Sequence, residues 1–77
     1  MDLKSHIRDI PDFPAPGILF RDITPLLALP DAFKYVIDSL MENYPADAFD
    51  CVVGIESRGF LLGAPIAYAM QKPLVLV

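Results

Sequence analysis

The sequence predicts an α/β fold: the N-terminal part of a doubly wound domain on a parallel sheet, with an extra segment ahead of the core. Three observations point to it. Residues 49–55, apart from Asp50, are continuous in apolar character rather than alternating, the pattern of a parallel strand covered on both faces. A glycine-containing turn and an uncharged helical run to Met70 follow, and then the apolar Leu74-Val75-Leu76-Val77. Strand, helix and strand of these lengths make a right-handed βαβ unit. Two parallel strands do not make a stable sheet, and the second is still running at Val77, so the unit is expected to be the start of a larger domain.

The elements ahead of that unit can be justified in order. Asp2 can cap a short first helix, since Leu3, Ile7 and Ile10 fall at i, i+4 and i+7 on one stripe. Pro11 stops it, because the residue before a proline avoids helical angles. His6 lies off the stripe, has no partner at metal-ligand spacing and reads as solvent-facing. Pro11, Pro14 and Pro16 make residues 11–17 a stiff, extended linker, with Phe13 as its anchor into a core. Ile18-Leu19-Phe20 reads as a very short strand. Arg21 has two readings, an ion pair with a neighbouring acid or a ligand contact. Thr24-Pro25 is a helix start, hydroxyl cap and then proline, good for about one turn before Pro30.

Asp31 is expected to cap the next helix. Phe33, Val36, Ile37, Leu40, Met41 and Tyr44 follow a 3.6-residue period, while Lys34, Asp38 and Glu42 line the opposite face. Its aromatic residues read as core. Residues 45–48 turn into the strand at 49–55, where Cys51 reads as a small buried hydrophobe. The last helix, residues 57–70, repeats Gly59, Gly63 and Ala67 every four positions, a smooth ridge for close packing. Pro65 is expected to kink it. It carries no charge beyond Arg58, so more than one of its faces is expected to be buried.

Composition narrows the function classes. Apolar residues make up 55% of 77, rich for a chain that buries only about 60% of its extended surface. Some of that surface expects another subunit or the rest of a domain. A formal net charge of −4 argues against nucleic-acid binding. A single cysteine permits no internal disulfide and fits a reducing cytosol. No apolar core follows Met1-Asp2-Leu3-Lys4-Ser5-His6, so the N-terminus does not read as a signal peptide. The longest uncharged run, residues 59–71, is too short to span a bilayer.

The candidate chemistry lies in Gly54-Ile55-Glu56-Ser57-Arg58-Gly59-Phe60. Strand, tight turn and helix are the layout of a phosphate site, where helix N–H groups and dipole meet an anion. Arg58 in the first helical turn opposes the dipole. That placement makes sense if the cation and the helix end face the same anion; a solvated arginine at a loop–helix junction is the alternative.

Two further stretches join this turn in a family likeness. Residues 11–25, Pro-Asp-Phe-Pro-Ala-Pro-Gly-Ile-Leu-Phe-Arg-Asp-Ile-Thr-Pro, and the helix at 30–44 resemble, together with the Glu56-Ser57-Arg58-Gly59 turn, the N-terminal portion of the adenine phosphoribosyltransferases. The resemblance covers all 77 residues. It implies a type I phosphoribosyltransferase-like fold, with residues 1–29 as a small hood segment and 30–77 as the start of the α/β core. It implies transfer of 5-phosphoribose from phosphoribosyl pyrophosphate (PRPP) to N9 of adenine, giving AMP and pyrophosphate in purine salvage. It also implies Mg²⁺ bound with PRPP, a cytoplasmic homodimer, and no nucleic-acid or membrane partner.

By the same resemblance, Leu19, Phe20 and Arg21 form the adenine end: backbone groups, a stacking face and a contact near the base. Glu56, Ser57, Arg58 and Gly59 form the pyrophosphate end, with the Glu56–Ser57 peptide expected to be cis. The family often has aspartate where Glu56 stands. The PRPP signature of two acids before a Thr-Gly-Gly-Thr-like loop is absent, as are the mobile loop and the downstream catalytic carboxylate. These 77 residues are thus expected to hold half of an active site, with no catalytic or metal-binding residue of their own, and to be inactive alone. The other readings are a phosphoribosyltransferase-like effector-binding module and an enzyme of the superfamily acting on another purine.

Overall fold

The computed structural model describes all 77 residues, Met1–Val77. The chain divides between Tyr35 and Val36 into two compact units, and the helix α2 (Pro30–Asn43) contributes residues to both.

In the first unit, β1 (Arg8–Ile10) and β2 (Phe20–Asp22) pair antiparallel, with Arg8 opposite Asp22, Asp9 opposite Arg21 and Ile10 opposite Phe20. The helix expected over the first ten residues does not form. Only a 3₁₀ turn, Lys4–His6, precedes β1, because residues 8–10 pair with a distant strand. His6 is half-buried rather than solvent-facing.

Residues 11–17 are not an extended linker either. They belong to the hairpin loop, in which Asp12 (φ 56°) and Gly17 (φ 85°) adopt left-handed angles and the Phe13–Pro14 peptide is cis. The Gly17 N–H donates to Asp12 Oδ1 at 2.9 Å, and the Phe13 N–H donates to the Ile18 carbonyl at 3.1 Å. The fixed φ of each proline serves a reversal as well as an extension. Phe13 remains 48% exposed, its ring meeting Phe20 edge-on at 5.3 Å.

The short helix α1 (Thr24–Leu27) has proline near its start, as expected, but Thr24 is not its cap. Asp22 Oδ1 accepts both the Thr24 N–H (2.9 Å) and the Thr24 hydroxyl (2.8 Å), so a carboxylate two residues earlier takes that role. Leu26 and Ala32 are the buried apolar residues of this unit. In α2, Asp31 lies in the first turn, where an acid complements the dipole. Ile37 is buried on the periodic face, with Phe33, Val36, Leu40 and Met41 half-buried beside it; Tyr44 lies just past the helix end and is exposed.

The second unit is the expected βαβ. A 3₁₀ turn, Ala46–Ala48, leads to β3 (Val52–Gly54), α3 (Glu56–Met70) and β4 (Leu74–Leu76). The strands are parallel, with Val52 opposite Leu74, Val53 opposite Val75 and Gly54 opposite Leu76. β3 is shorter than the apolar run suggests, because only Val52–Gly54 find a partner strand; residues 49–51 and Ile55 lie outside the ladder with β4. The small-residue ridge of α3 packs on the strands as expected. A methyl added at Gly63 would lie 3.4 Å from Leu74 Cδ1 and from Val52 Cγ1, and Gly63 and Ala67 are buried. The helix continues through Pro65. It ends at Gln71 (φ 56°, ψ 47°), whose N–H donates to the Ala67 and Tyr68 carbonyls, followed by Lys72 N–H to Ala67 at 3.0 Å. Lys72 Nζ then sits 5.3 Å from the Phe49 ring centroid, tying the chain after α3 to the approach to β3.

Coverage on both faces of the strands is not found. α3 lies on one face of the β3–β4 pair, and nothing in these residues covers the other. Val53, Val75 and Leu76 are exposed, as are Leu61 and Tyr68 on α3, so only one side of that helix is buried. Cys51 is exposed rather than buried for the same reason. With Tyr44, Phe49, Val53 and Ile66 it lines an open apolar cavity of about 470 Å³. No helix is long and apolar enough to cross a membrane.

Candidate functional site

The pyrophosphate-type residues sit where β3 hands over to α3. Ile55 is still extended (φ −107°, ψ 120°) and gives no side-chain cap, while the Glu56 N–H donates to the Val77 carbonyl at 3.4 Å. Glu56 makes the turn in a left-handed conformation (φ 56°), an uncommon one for a residue with a side chain. The Glu56–Ser57 peptide is trans, against expectation, and the chain reverses through this φ instead. Glu56, Ser57 and Arg58 are exposed together at the start of the helix.

Two glycines bring the strand end and the helix start into contact. A methyl at Gly54 would lie 3.2 Å from the Gly59 carbonyl oxygen and 3.2 Å from Phe60 Cδ1; one at Gly59 would lie 3.4 Å from the Gly54 carbonyl carbon. The helix N-terminus is thus seated directly on the C-terminal end of β3, the edge at which open α/β sheets bind ligands.

The adenine-type residues lie in the first unit, where the hairpin loop enters β2. Leu19 is 49% exposed, and no backbone hydrogen bond engages its N–H or C=O. Phe20 is half-buried against Phe13. Arg21 is exposed, with Nε 3.9 Å from Asp9 Oδ1. Both of its anticipated roles therefore stay open, since an exposed pair at that distance holds a side chain only weakly.

Sequence reasoning missed Asp22, the one buried charged residue (8% exposed). Besides Thr24 it accepts a bond from Arg8 Nη2 through Oδ2. The Thr24 N–H, then the Thr24 hydroxyl, then Arg8 hold its carboxyl below the ordinary aspartate range. A signal was present: the dipeptide Arg-Asp occurs twice, at 8–9 and at 21–22. Nowhere do three His, Cys, Asp or Glu side chains gather.

No family model matches the chain. It is 67% identical over all 77 residues to the adenine phosphoribosyltransferase of Acaryochloris marina, and spans 45% of that protein. Its fold matches the crystal structure of adenine phosphoribosyltransferase from Thermoanaerobacter pseudethanolicus at a TM-score of 0.90 and 45% identity, covering 97% of this chain and 45% of that one. It matches the Saccharomyces cerevisiae enzyme, solved with adenine and an imino-altritol bisphosphate, at 0.86 and 40%, covering 99% and 47%. The chain therefore spans about half the length of the relatives it matches. Over its whole length it is similar to the adenine phosphoribosyltransferases, and its fold matches the corresponding part of their structures.

Proposed function

We propose that the protein to which these residues belong converts adenine and PRPP to AMP and pyrophosphate, and that this stretch supplies base recognition and part of the pyrophosphate site. The observation that carries the reading is the β3–α3 junction. A helix N-terminus without a side-chain cap, seated on the strand end by Gly54 and Gly59, holds Arg58 in its first turn. In phosphoribosyl transfer the leaving pyrophosphate gains negative charge as the ribose gains oxocarbenium character. Helix N–H groups of Ser57 and Gly59 and a fixed guanidinium meet that charge where it develops. Glu56 forms the turn that aims them.

At the other end, Leu19 offers a C=O and an N–H to the N6 amino group and the N1 acceptor of adenine, Phe20 a stacking face, and Arg21 a contact near the base. The yeast relative's complex with adenine supports adenine as the base. Mg²⁺ enters as the partner of PRPP rather than of these side chains. The reading includes residues 1–29 as hood and 30–77 as the start of the core, a cytoplasmic location, and a homodimer built partly on the uncovered side of α3. No observation favours an effector-binding module. The test is AMP formation from adenine and PRPP by the full-length protein and its Arg58→Ala variant. Loss of one electrostatic stabiliser should lower kcat/KM for PRPP by about 2–4 kcal/mol. An unchanged rate at limiting PRPP makes Arg58 a surface charge only.

A further inference from the structure

The β1–β2 hairpin carries a charge pattern of which the proposed chemistry uses only Arg21. Arg8 stands directly opposite Asp22, and Asp9 directly opposite Arg21. The two Arg-Asp dipeptides, run antiparallel, are self-complementary: each arginine meets the other strand's aspartate. Arg8 Nη2 donates to Asp22 Oδ2, and Arg21 Nε lies 3.9 Å from Asp9 Oδ1.

The loop bonds Phe13 N–H to Ile18 C=O and Gly17 N–H to Asp12 Oδ1 help fix the register, but the strands themselves bury almost nothing that would. β1 has no buried side chain, and the only one in β2 is Asp22 itself. A hairpin without a buried apolar face is prone to slippage. Here a one-residue slip in either direction is opposed. One brings Arg8 opposite Arg21, the other Asp9 opposite Asp22, and like charges directly opposite destabilise a pair. A two-residue slip in either direction breaks both pairs. Each one-residue slip also turns the side chains of the strand to the other face, and Leu19 and Phe20 stand at the start of β2.

We propose that Arg8 and Asp9 are positioning residues for base recognition: the Arg8–Asp22 pair, together with the like charges that any one-residue slip would set opposite, selects the one register that presents Leu19 and Phe20. The functional half rests on the adenine reading above; the register half does not.

The test is the double exchange Arg8→Asp with Asp9→Arg in the full-length protein. It keeps composition and net charge, but sets like charges opposite in the native register and opposite charges in either slipped one. The expected result is a KM for adenine raised at least about tenfold, with KM for PRPP within about twofold. Preference for adenine over hypoxanthine should fall about tenfold or more. Cross-strand NOEs between Ile10 and Phe20 should vanish, while Arg8→Lys stays within about threefold of wild type. An exchange variant that keeps the wild-type NOEs, or loses them without a change in adenine KM, overturns the proposal. If the exchange variant does not fold by circular dichroism, Arg8→Gln decides: it removes one pair without a clash and should raise adenine KM about threefold. An unchanged KM overturns the proposal. A wild-type protein that makes no AMP sinks the adenine reading alone, and the NOEs still test the register.

Discussion

Gly54→Ala should destabilise the protein, and Gly63→Ala should stabilise it. The two glycines face each other across the contact between β3 and α3, yet their surroundings differ. At Gly54 the added methyl meets the Gly59 carbonyl oxygen at 3.2 Å, the Gly59 carbonyl carbon at 3.3 Å and the Phe60 ring at 3.2 Å. Two of these are backbone atoms of the first turn of α3 and cannot swing aside, so the helix start must move by a few tenths of an ångström. Overpacking of this kind costs about 1–3 kcal/mol. Loss of glycine's extra freedom in the unfolded chain returns about 0.4–1 kcal/mol. The net is about 0.5–2 kcal/mol of destabilisation.

At Gly63 the contacts are both 3.4 Å, to the ends of the Leu74 and Val52 side chains, which is ordinary van der Waals distance. A mid-helix alanine gains close to 1 kcal/mol over glycine. Urea unfolding of both full-length variants measures the difference. The displaced helix start should also raise KM for PRPP in Gly54→Ala and leave it unchanged in Gly63→Ala. Equal stability of the two variants, or the reverse order, would refute the claim that the helix N-terminus is seated on the strand end.

Other outcomes follow from the same geometry. The Asp22 carboxyl is held below its ordinary value, so its stabilising share is complete above the unfolded aspartate value of about 3.9 and disappears as pH falls through the folded value. The stability deficit of Asp22→Asn should therefore be largest near neutral pH and shrink toward about pH 3; urea unfolding that shows the same deficit at both ends would count against the Thr24 and Arg8 bonds. Leu19→Ala should keep its preference for adenine over hypoxanthine, because the backbone pair proposed to do the choosing is untouched; hydrogen-bonded sites of this kind discriminate by roughly 10⁴–10⁵. Competition between the two bases measures it, and lost preference would move recognition to the leucine side chain. Sedimentation of the full-length protein should show a dimer, since Leu61 and Tyr68 leave one side of α3 apolar and uncovered; a monomer at micromolar concentration would contradict it.

How much was legible depended on how far apart the partners are in sequence. The α2 helix and the β3–α3–β4 order are written in local periodicity and apolar runs, and the Gly59, Gly63, Ala67 ridge can be read from spacing alone. Leu3, Ile7 and Ile10 also have helical spacing, but residues 8–10 answer to residues 20–22, a pairing that no window of ten residues contains. The three prolines of the hairpin loop read as stiffness; that Asp12 and Gly17 would fold the loop back depended on a side-chain bond across five residues. Thr24 looked like the helix cap because it has the right chemistry in the right place. Asp22, two residues earlier, outcompetes it by accepting both of its protons. Cys51 and the strands looked buried because the apolar run anticipates neighbours on both sides, and these residues supply one.

The proposed division of labour gives the base to residues 19–21 and the leaving pyrophosphate to the start of α3. KM and kcat/KM for adenine and for PRPP, measured in the full-length protein with Phe20→Ala and Arg58→Ala, test it most directly. Phe20→Ala should weaken adenine by about 1–3 kcal/mol, the usual worth of one aromatic stack, and leave PRPP alone. Arg58→Ala should lower kcat/KM for PRPP by about 2–4 kcal/mol and leave KM for adenine alone. If both variants shifted the same substrate, or neither shifted either, the assignment of the two ends would be wrong.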